Sequence, residues 1–180
     1  MLIVYIKTMD TQISTDALTG LNNRGQLMRY VSIKSNLSPE DRLTFLVMFD
    51  VNNFKTINDT YGHAEGDRAL VLVAEALRSA VKGREVPGFL GRYGGDEFVI
   101  IAHPVHKEEM DLLLEDIRSR IEAAAKNNAL PYRLTVGAGC DEFQQGGQDT
   151  FQKCLQRADK KLYLDKEYRK LHEAAEAAES

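Results

Sequence analysis

The sequence predicts an α+β domain, with a central, mostly antiparallel sheet wrapped by helices. Three observations carry this. Apolar runs short enough for strands alternate with longer stretches of helical periodicity. Two of those runs are joined by a tight glycine-bearing link at Gly94-Gly95, which reads as an antiparallel hairpin. A pure doubly wound parallel sheet does not contain that connection. Finally, 180 residues at 43% hydrophobic and 28% charged suit one domain with a real core.

Taken in order, Leu2, Ile6, Met9 and Ile13 fall on one helical stripe and suggest a coiled-coil stub. Ile3-Val4-Tyr5-Ile6 also reads as a short strand. On the helical reading, residues 1–15 are a linker to something upstream, and 16–172 are the domain. Asp16 to Arg24 is rich in turn formers. A helix over 24–36 buries Leu27, Tyr30 and Val31, and Ser38-Pro39 stops it. Leu43 to Phe49 is apolar except for Thr44 and predicts a buried central strand, ended by Asp50. Asn52-Asn53 open a short helix through Asn58. Gly62 and Gly66 break the chain, and Asp67–Lys82 is a long helix with Leu70, Val73, Ala74 and Leu77 on one face. Hairpin strands follow over 88–93 and 97–102. Met110, Leu113, Leu114, Ile117 and Ile121 mark a helix over 107–127. A strand is predicted over 132–139, and a last helix over 149–178 carries Phe151, Leu155, Ala158, Leu162 and Tyr163. Its Ala- and Glu-rich end, 173–180, reads as a tail.

The net charge is −4 and the pI is about 5.6. No nucleic acid or anionic membrane is held by bulk electrostatics at that balance, although a nucleotide needs only local positive charge. Cys140 and Cys154 imply no disulfide framework, so a cytoplasmic setting is expected. No apolar stretch reaches the roughly 18 residues of a membrane span. Met1–Ile6 is too short for a signal sequence.

The chemistry concentrates at Arg92-Tyr93-Gly94-Gly95-Asp96-Glu97-Phe98. Two glycines allow positive φ and close approach of a ligand to the main chain. Two adjacent acids repel each other unless a cation or a metal-bound phosphate sits there. Asp50 ends the most buried strand, where carboxylates meet ligand crevices or cap the next helix. The backbone after Asn53 opens a helix able to hold phosphate, with Lys55 as a point charge and Phe54 read as core. His63 reads as a packing or capping residue. Asp67 reads either as a helix cap or as an acceptor for a base edge. Asp50 and Asp96 on adjacent strands suit Mg2+, which takes few carboxylates plus substrate phosphates.

These runs resemble the GGDEF family, the diguanylate cyclases. The resemblance rests on Asp16-Ala17-Leu18-Thr19-Gly20-Leu21-Asn22-Asn23-Arg24, on Phe49 to Asp59, on Tyr61-Gly62-His63 with Gly66-Asp67, on Arg92 to Phe98, and on Ala158-Asp159 with Leu162-Tyr163. It implies a sheet similar to the palm of nucleotidyl cyclases and polymerases, related to ferredoxin-like folds. It also implies condensation of two GTP into cyclic di-GMP with loss of two pyrophosphates, one GTP per subunit of a transient homodimer, and Mg2+ or Mn2+ as cofactor. Carried over by position, Asp50, the Val51 carbonyl, Asp96 and Glu97 resemble the metal ligands, with Asp96 and Glu97 as the catalytic acids. Asn53, Phe54, Lys55, Gly94, Gly95, Lys166 and Lys170 resemble groups around the nucleotide, and Asn58 and Asp67 the guanine readers. An Asp accepts from guanine N1–H and its amino group, a donor pair that adenine lacks.

Three departures stand out. Asn52 replaces an Asp common in the family. Glu85 and Gly88 occupy the positions of an Arg-x-x-Asp product-feedback motif, with Arg84 one residue out of register. Arg169-Lys170 replaces a Gly-Arg pair. The alternative to a working cyclase is a catalytically weak or inactive module that binds GTP or cyclic di-GMP and signals to a partner.

Overall fold

The computed structural model describes residues 14–33, 43–82, 84, 87–143 and 150–178. The helical stub over residues 2–14 and Glu85 therefore lie almost wholly outside the described residues. In chain order the elements are α1 (Arg24–Ile33), β1 (Phe45–Val51), α2 (Phe54–Tyr61), α3 (His63–Val81), β2 (Pro87–Arg92), β3 (Glu97–Ala102), α4 (Glu108–Asn127), β4 (Val136–Glu142) and α5 (Phe151–Ala178). The strands form one sheet in the order β2-β3-β1-β4. Every pairing in it is antiparallel, as the hairpin implied.

The long apolar runs follow from burial on both faces of the sheet, since alternate side chains point to opposite sides. Phe45, Val47 and Phe49 of β1 and Phe98 and Ile100 of β3 pack with Leu70, Val73 and Leu77 of α3 and Leu113, Ile117 and Ile121 of α4. The intervening Leu46, Met48, Val99 and Ile101 pack with Leu27 of α1 and Phe151, Cys154, Ala158 and Leu162 of α5. The result is three layers, with helices on both sides of the sheet.

Several element boundaries differ from expectation: β1 runs past Asp50 to Val51, α2 ends at Tyr61 rather than Asn58, β4 extends to Glu142, and the starts of α3 and β4 are shifted. Gly66 lies inside α3, which starts at His63. The break is at Gly62, whose φ is 87°. A Cβ at Gly66 would run into Asn58 Oδ1, so this glycine serves helix packing rather than a turn. β4 begins at Val136 rather than Tyr132, because β1 ends opposite it, at Val51. Its glycines are not a strand end. A Cβ at Gly139 would strike the Ala158 carbonyl and the Leu162 backbone, and one at Gly137 would meet Lys166 and Leu162. Both let α5 lie close on β4.

Candidate active site

The hairpin aligns two acids across neighbouring strands. Glu97 at the start of β3 is the register partner of Asp50 on β1. The Val51 N–H donates to the Asp96 carbonyl at 3.2 Å, tying the end of β1 to the hairpin tip. Lys166, reaching from α5, forms an ion pair with Asp50 Oδ1. Asp50, Asp96, Glu97 and Lys166 therefore gather from β1, the hairpin tip, the start of β3 and α5.

Electrostatics there are crowded. Burial pushes the Asp50 carboxyl above its usual range. Lys166 opposes that shift, while Asp96 and Asp159 reinforce it. Glu97 is raised too, by burial first and then by Asp50, Asp96 and Asp159. Like charges held close in a partly desolvated place favour a bound cation. All the donors are hard oxygens, which fits Mg2+ or Mn2+. Among the described residues, no three acidic, His or Cys side chains form a metal-holding group by themselves. Such a site needs oxygens from elsewhere, as a phosphate-bound Mg2+ does.

The tip itself differs from expectation in one respect. Positive φ occurs at Gly20 and Gly62 among the described glycines, and not at Gly94 or Gly95. Arg92 shapes the turn instead. Its Nε donates to the Gly94 carbonyl at 3.2 Å, and Nη2 donates to the Gly95 carbonyl at 2.5 Å. A Cβ at Gly94 would crowd Glu97 Oε2 at 2.6 Å, whereas one at Gly95 would meet nothing. Gly95 thus leaves open space beside the acids. Arg92 Nη1 also reaches both Asp16 carboxylate oxygens at 3.1 Å.

A crevice of about 200 Å³ lies alongside, lined by Asn52, Asn53, Lys166, Arg169 and Lys170. Asn53 caps α2 in the left-handed conformation, with φ of 55°, which asparagine tolerates better than most residues. Asn52 has a structural task. Its N–H donates to the Thr135 carbonyl at 3.0 Å and its Nδ2 to Thr135 Oγ1 at 2.9 Å. Lys55 is exposed on the first turn of α2, and Phe54 packs against the core. Asn58 lies against Gly66, one residue before the exposed Asp67, so α2 and α3 bring these two neighbourhoods together. No distance places Lys55, Asn58 or Asp67 against the acids.

Sequence reasoning quoted Arg92, Asp159 and Arg169 within its motifs but gave none of them a role at this site. A basic residue at the interval of Lys166, Arg169 and Lys170, one helical turn, was the available signal for Arg169. Of the two feedback positions, Glu85 lies outside the described residues. Arg84 pairs with Asp116 at 3.0 Å. A Cβ at Gly88 would collide with Tyr30 and His103.

An antiparallel sheet with acids on adjacent strands and lysines from a flanking helix can hold a metal-bound phosphate group. The family described as "Diguanylate cyclase, GGDEF domain" matches residues 13–171. The chain belongs to that family. It is 33% identical over 154 residues to the diguanylate cyclase DgcP of Pseudomonas aeruginosa, covering 84% of this chain and 22% of that protein. It is 33% identical over 163 residues to the diguanylate cyclase DosC of Escherichia coli, covering 86% of this chain and 33% of that one. The chain thus spans about a fifth to a third of these relatives' length. Among solved structures, the GGDEF domain of DgcB from Caulobacter crescentus in complex with c-di-GMP aligns with a TM-score of 0.73 at 28% identity, over 86% of this chain and 90% of that one. The diguanylate cyclase SiaD in complex with its activator SiaC from Pseudomonas aeruginosa aligns with a TM-score of 0.73 at 28% identity, over 93% of this chain and 64% of that one. No helix among the described residues is long and apolar enough to cross a membrane.

Proposed function

We propose that this chain is a diguanylate cyclase half-site that joins two GTP molecules into cyclic di-GMP. The observation that carries this is the register of Glu97 beside Asp50, next to a lysine-lined crevice. One GTP occupies each subunit. Lys166 and Lys170, with Lys55 from α2, hold its phosphates, and the N–H groups that open α2 face the same charge. Asn58 and Asp67 read guanine. Asn53 and the main chain of Gly94 and Gly95 border the nucleotide, and Phe54 braces α2 from the core.

Asp50, the Val51 carbonyl, Asp96 and Glu97 hold Mg2+ or Mn2+. When bound, that ion supplies charge neutralisation at the phosphoryl groups. Two subunits face each other, so that each 3′-hydroxyl oxygen bonds to the partner nucleotide's α-phosphorus. The bond from that phosphorus to the β-phosphate bridging oxygen breaks, and pyrophosphate leaves. The hydroxyl proton passes to a carboxylate, a role we assign to Glu97. Proximity of two bound nucleotides supplies much of the rate.

The test is chromatographic separation of products from GTP and Mg2+, beside Asp96→Ala and Glu97→Ala. Cyclic di-GMP from the parent and at least ~100-fold less from the variants is expected. No product from the parent at any protein concentration overturns the cyclase and leaves a nucleotide-binding module that signals to a partner.

A further inference from the structure

Off the open edge of β4 lies a second and larger cavity, of about 440 Å³. α4 forms one wall, the segment leading into β4 another, and Arg169 of α5 closes it toward the crevice described above. Its floor is apolar: Ile121 and Leu134 are buried core, and Leu130 and Tyr132 pack beside them. Its polar lining includes Arg118, Arg169 and Arg133, with Glu122 and Lys126, which pair with each other at 3.1 Å. Arg118 Nη2 stands 3.6 Å from Asp165 Oδ1, and Arg169 Nε 3.0 Å from Asp165 Oδ2. The same Oδ2 also accepts the Ala138 N–H at 2.9 Å. One carboxylate thus serves two guanidiniums and a backbone donor. Arg118 Nε is buried and has no hydrogen-bond partner. Burial, and then the charge of Arg169, hold Arg118 below the ordinary arginine range. Asp165 and Glu115 offset part of that positive charge. Arg118 and Arg169 each keep about a third of their side-chain surface exposed, 36% and 34%, and that outer part is what an anion in the cavity can reach.

We propose that this cavity is a binding site for an amphipathic organic anion, and that its occupancy is felt in the nucleotide crevice through Arg169. The ligand carries one carboxylate, sulfonate or phosphate for the arginine pair, which grips such groups in a fork. Its flat apolar body lies on Ala125, Leu130 and Tyr132, above the buried Ile121 and Leu134. The cavity volume is in the range of drug-sized ligands. Arg169 borders both spaces, so an anion that draws it toward Arg118 removes a cation from beside Lys166 and Lys170. The ligand therefore weakens GTP binding. This second clause rests on the function proposed above, and the first does not.

The probe is 8-anilino-1-naphthalenesulfonate, titrated by fluorescence into the whole chain without nucleotide or metal. Saturable binding at one site per chain is expected. Arg118→Gln weakens it at least ~10-fold. Ala125→Trp, which fills the cavity from α4 and keeps both arginines, abolishes it. Circular-dichroism melting of each variant establishes that it is folded. If Arg118→Gln does not fold, Ala125→Trp decides alone. Unsaturable binding by the parent, or parent-like binding by a folded Ala125→Trp, overturns the site. GTP affinity is then measured by calorimetry with and without saturating probe. Weaker GTP binding with the probe supports the coupling through Arg169. Equal affinity overturns the coupling and leaves the site. Absence of GTP binding even without the probe overturns the nucleotide reading and the coupling together, and again leaves the site.

Discussion

Arg92 donates to four oxygens from two separate segments: the Gly94 and Gly95 carbonyls at the hairpin tip, and both oxygens of Asp16. Both partners of the ion pair are largely shielded from solvent. Replacing Arg92 by Gln leaves the carboxylate and the carbonyls short of donors, a loss of about 2 kcal/mol. Thermal unfolding should show a lower Tm, and turnover should fall because the acidic tip loses its brace. Arg92→Lys keeps the charge for Asp16 but lacks the fork. It should recover stability more than activity, and equal recovery of both would contradict the bracing role. Asp16 also makes a pH prediction. Burial acts to raise its pKa, but the hydrogen bonds from Thr19 and Arg92 outweigh it and leave the carboxyl below its ordinary value. A depressed carboxylate contributes stability that is present above its unfolded pKa of about 3.9 and lost as pH falls through the lower folded value. Urea unfolding at neutral pH and through that acid window should therefore show a steeper acid loss in the parent than in Asp16→Asn.

At the scale of elements, two glycines separate stability from recognition. At Gly139 the obstacles to a Cβ are backbone atoms of α5, at Ala158 and Leu162. They cannot move without shifting the helix, so Gly139→Ala should cost about 2–4 kcal/mol and disturb the placement of Lys166 as well. Gly66 faces the end of the Asn58 side chain instead. Gly66→Ala gains helix propensity of about 1 kcal/mol, which offsets the contact, while Asn58 turns away. The expected signature is a raised KM for GTP with kcat and Tm little changed, read from steady-state kinetics and melting. A parallel fall in kcat would remove Asn58 from base reading. The same positions show what the amino-acid order reveals. The central strand, the hairpin and the helical faces were legible because apolar periodicity is a local signal and burial rewards it directly. The ends of β4 and the start of α3 were not. Gly137, Gly139 and Gly66 look like chain breaks locally, yet they are small because another element lies against them. Asp50, Asp96, Glu97 and Lys166, which the structure brings together, were each read from the sequence as motif residues. Their supports were not, because Asp16 meets Arg92 and Asn52 meets Thr135 across long stretches of chain. No residue's neighbours in sequence announce such partners.

For the whole molecule, the proposed reaction sets a condition that no single subunit meets. Asp50, Glu97 and Lys166 converge within one chain, and in the proposed reaction they serve one nucleotide. Cyclisation forms two bonds between two nucleotides, and each bond needs the other subunit's GTP. The net charge of −4 gives two copies no general attraction. Pairing is therefore expected to be transient, and the productive dimer a minor species at low concentration. Rate per volume should then rise with the square of protein concentration, so that specific activity climbs in proportion to concentration until the dimer predominates. Fusing a parallel coiled coil ahead of Met1 should remove that dependence, since tethering at effective concentrations in the millimolar range replaces the bimolecular step. Mixing Glu97→Ala with Asp50→Asn chains at equal amounts gives a further arm. If each half-site acts on its own nucleotide, every mixed dimer still carries two damaged sites, and activity stays at the variants' level. Recovery of GTP turnover, to linear or cyclic product and up to the one quarter of sites that would then be intact, would mean that one subunit completes the other's metal site, and the division of labour drawn from the register of β1 and β3 would have to be redrawn across the interface.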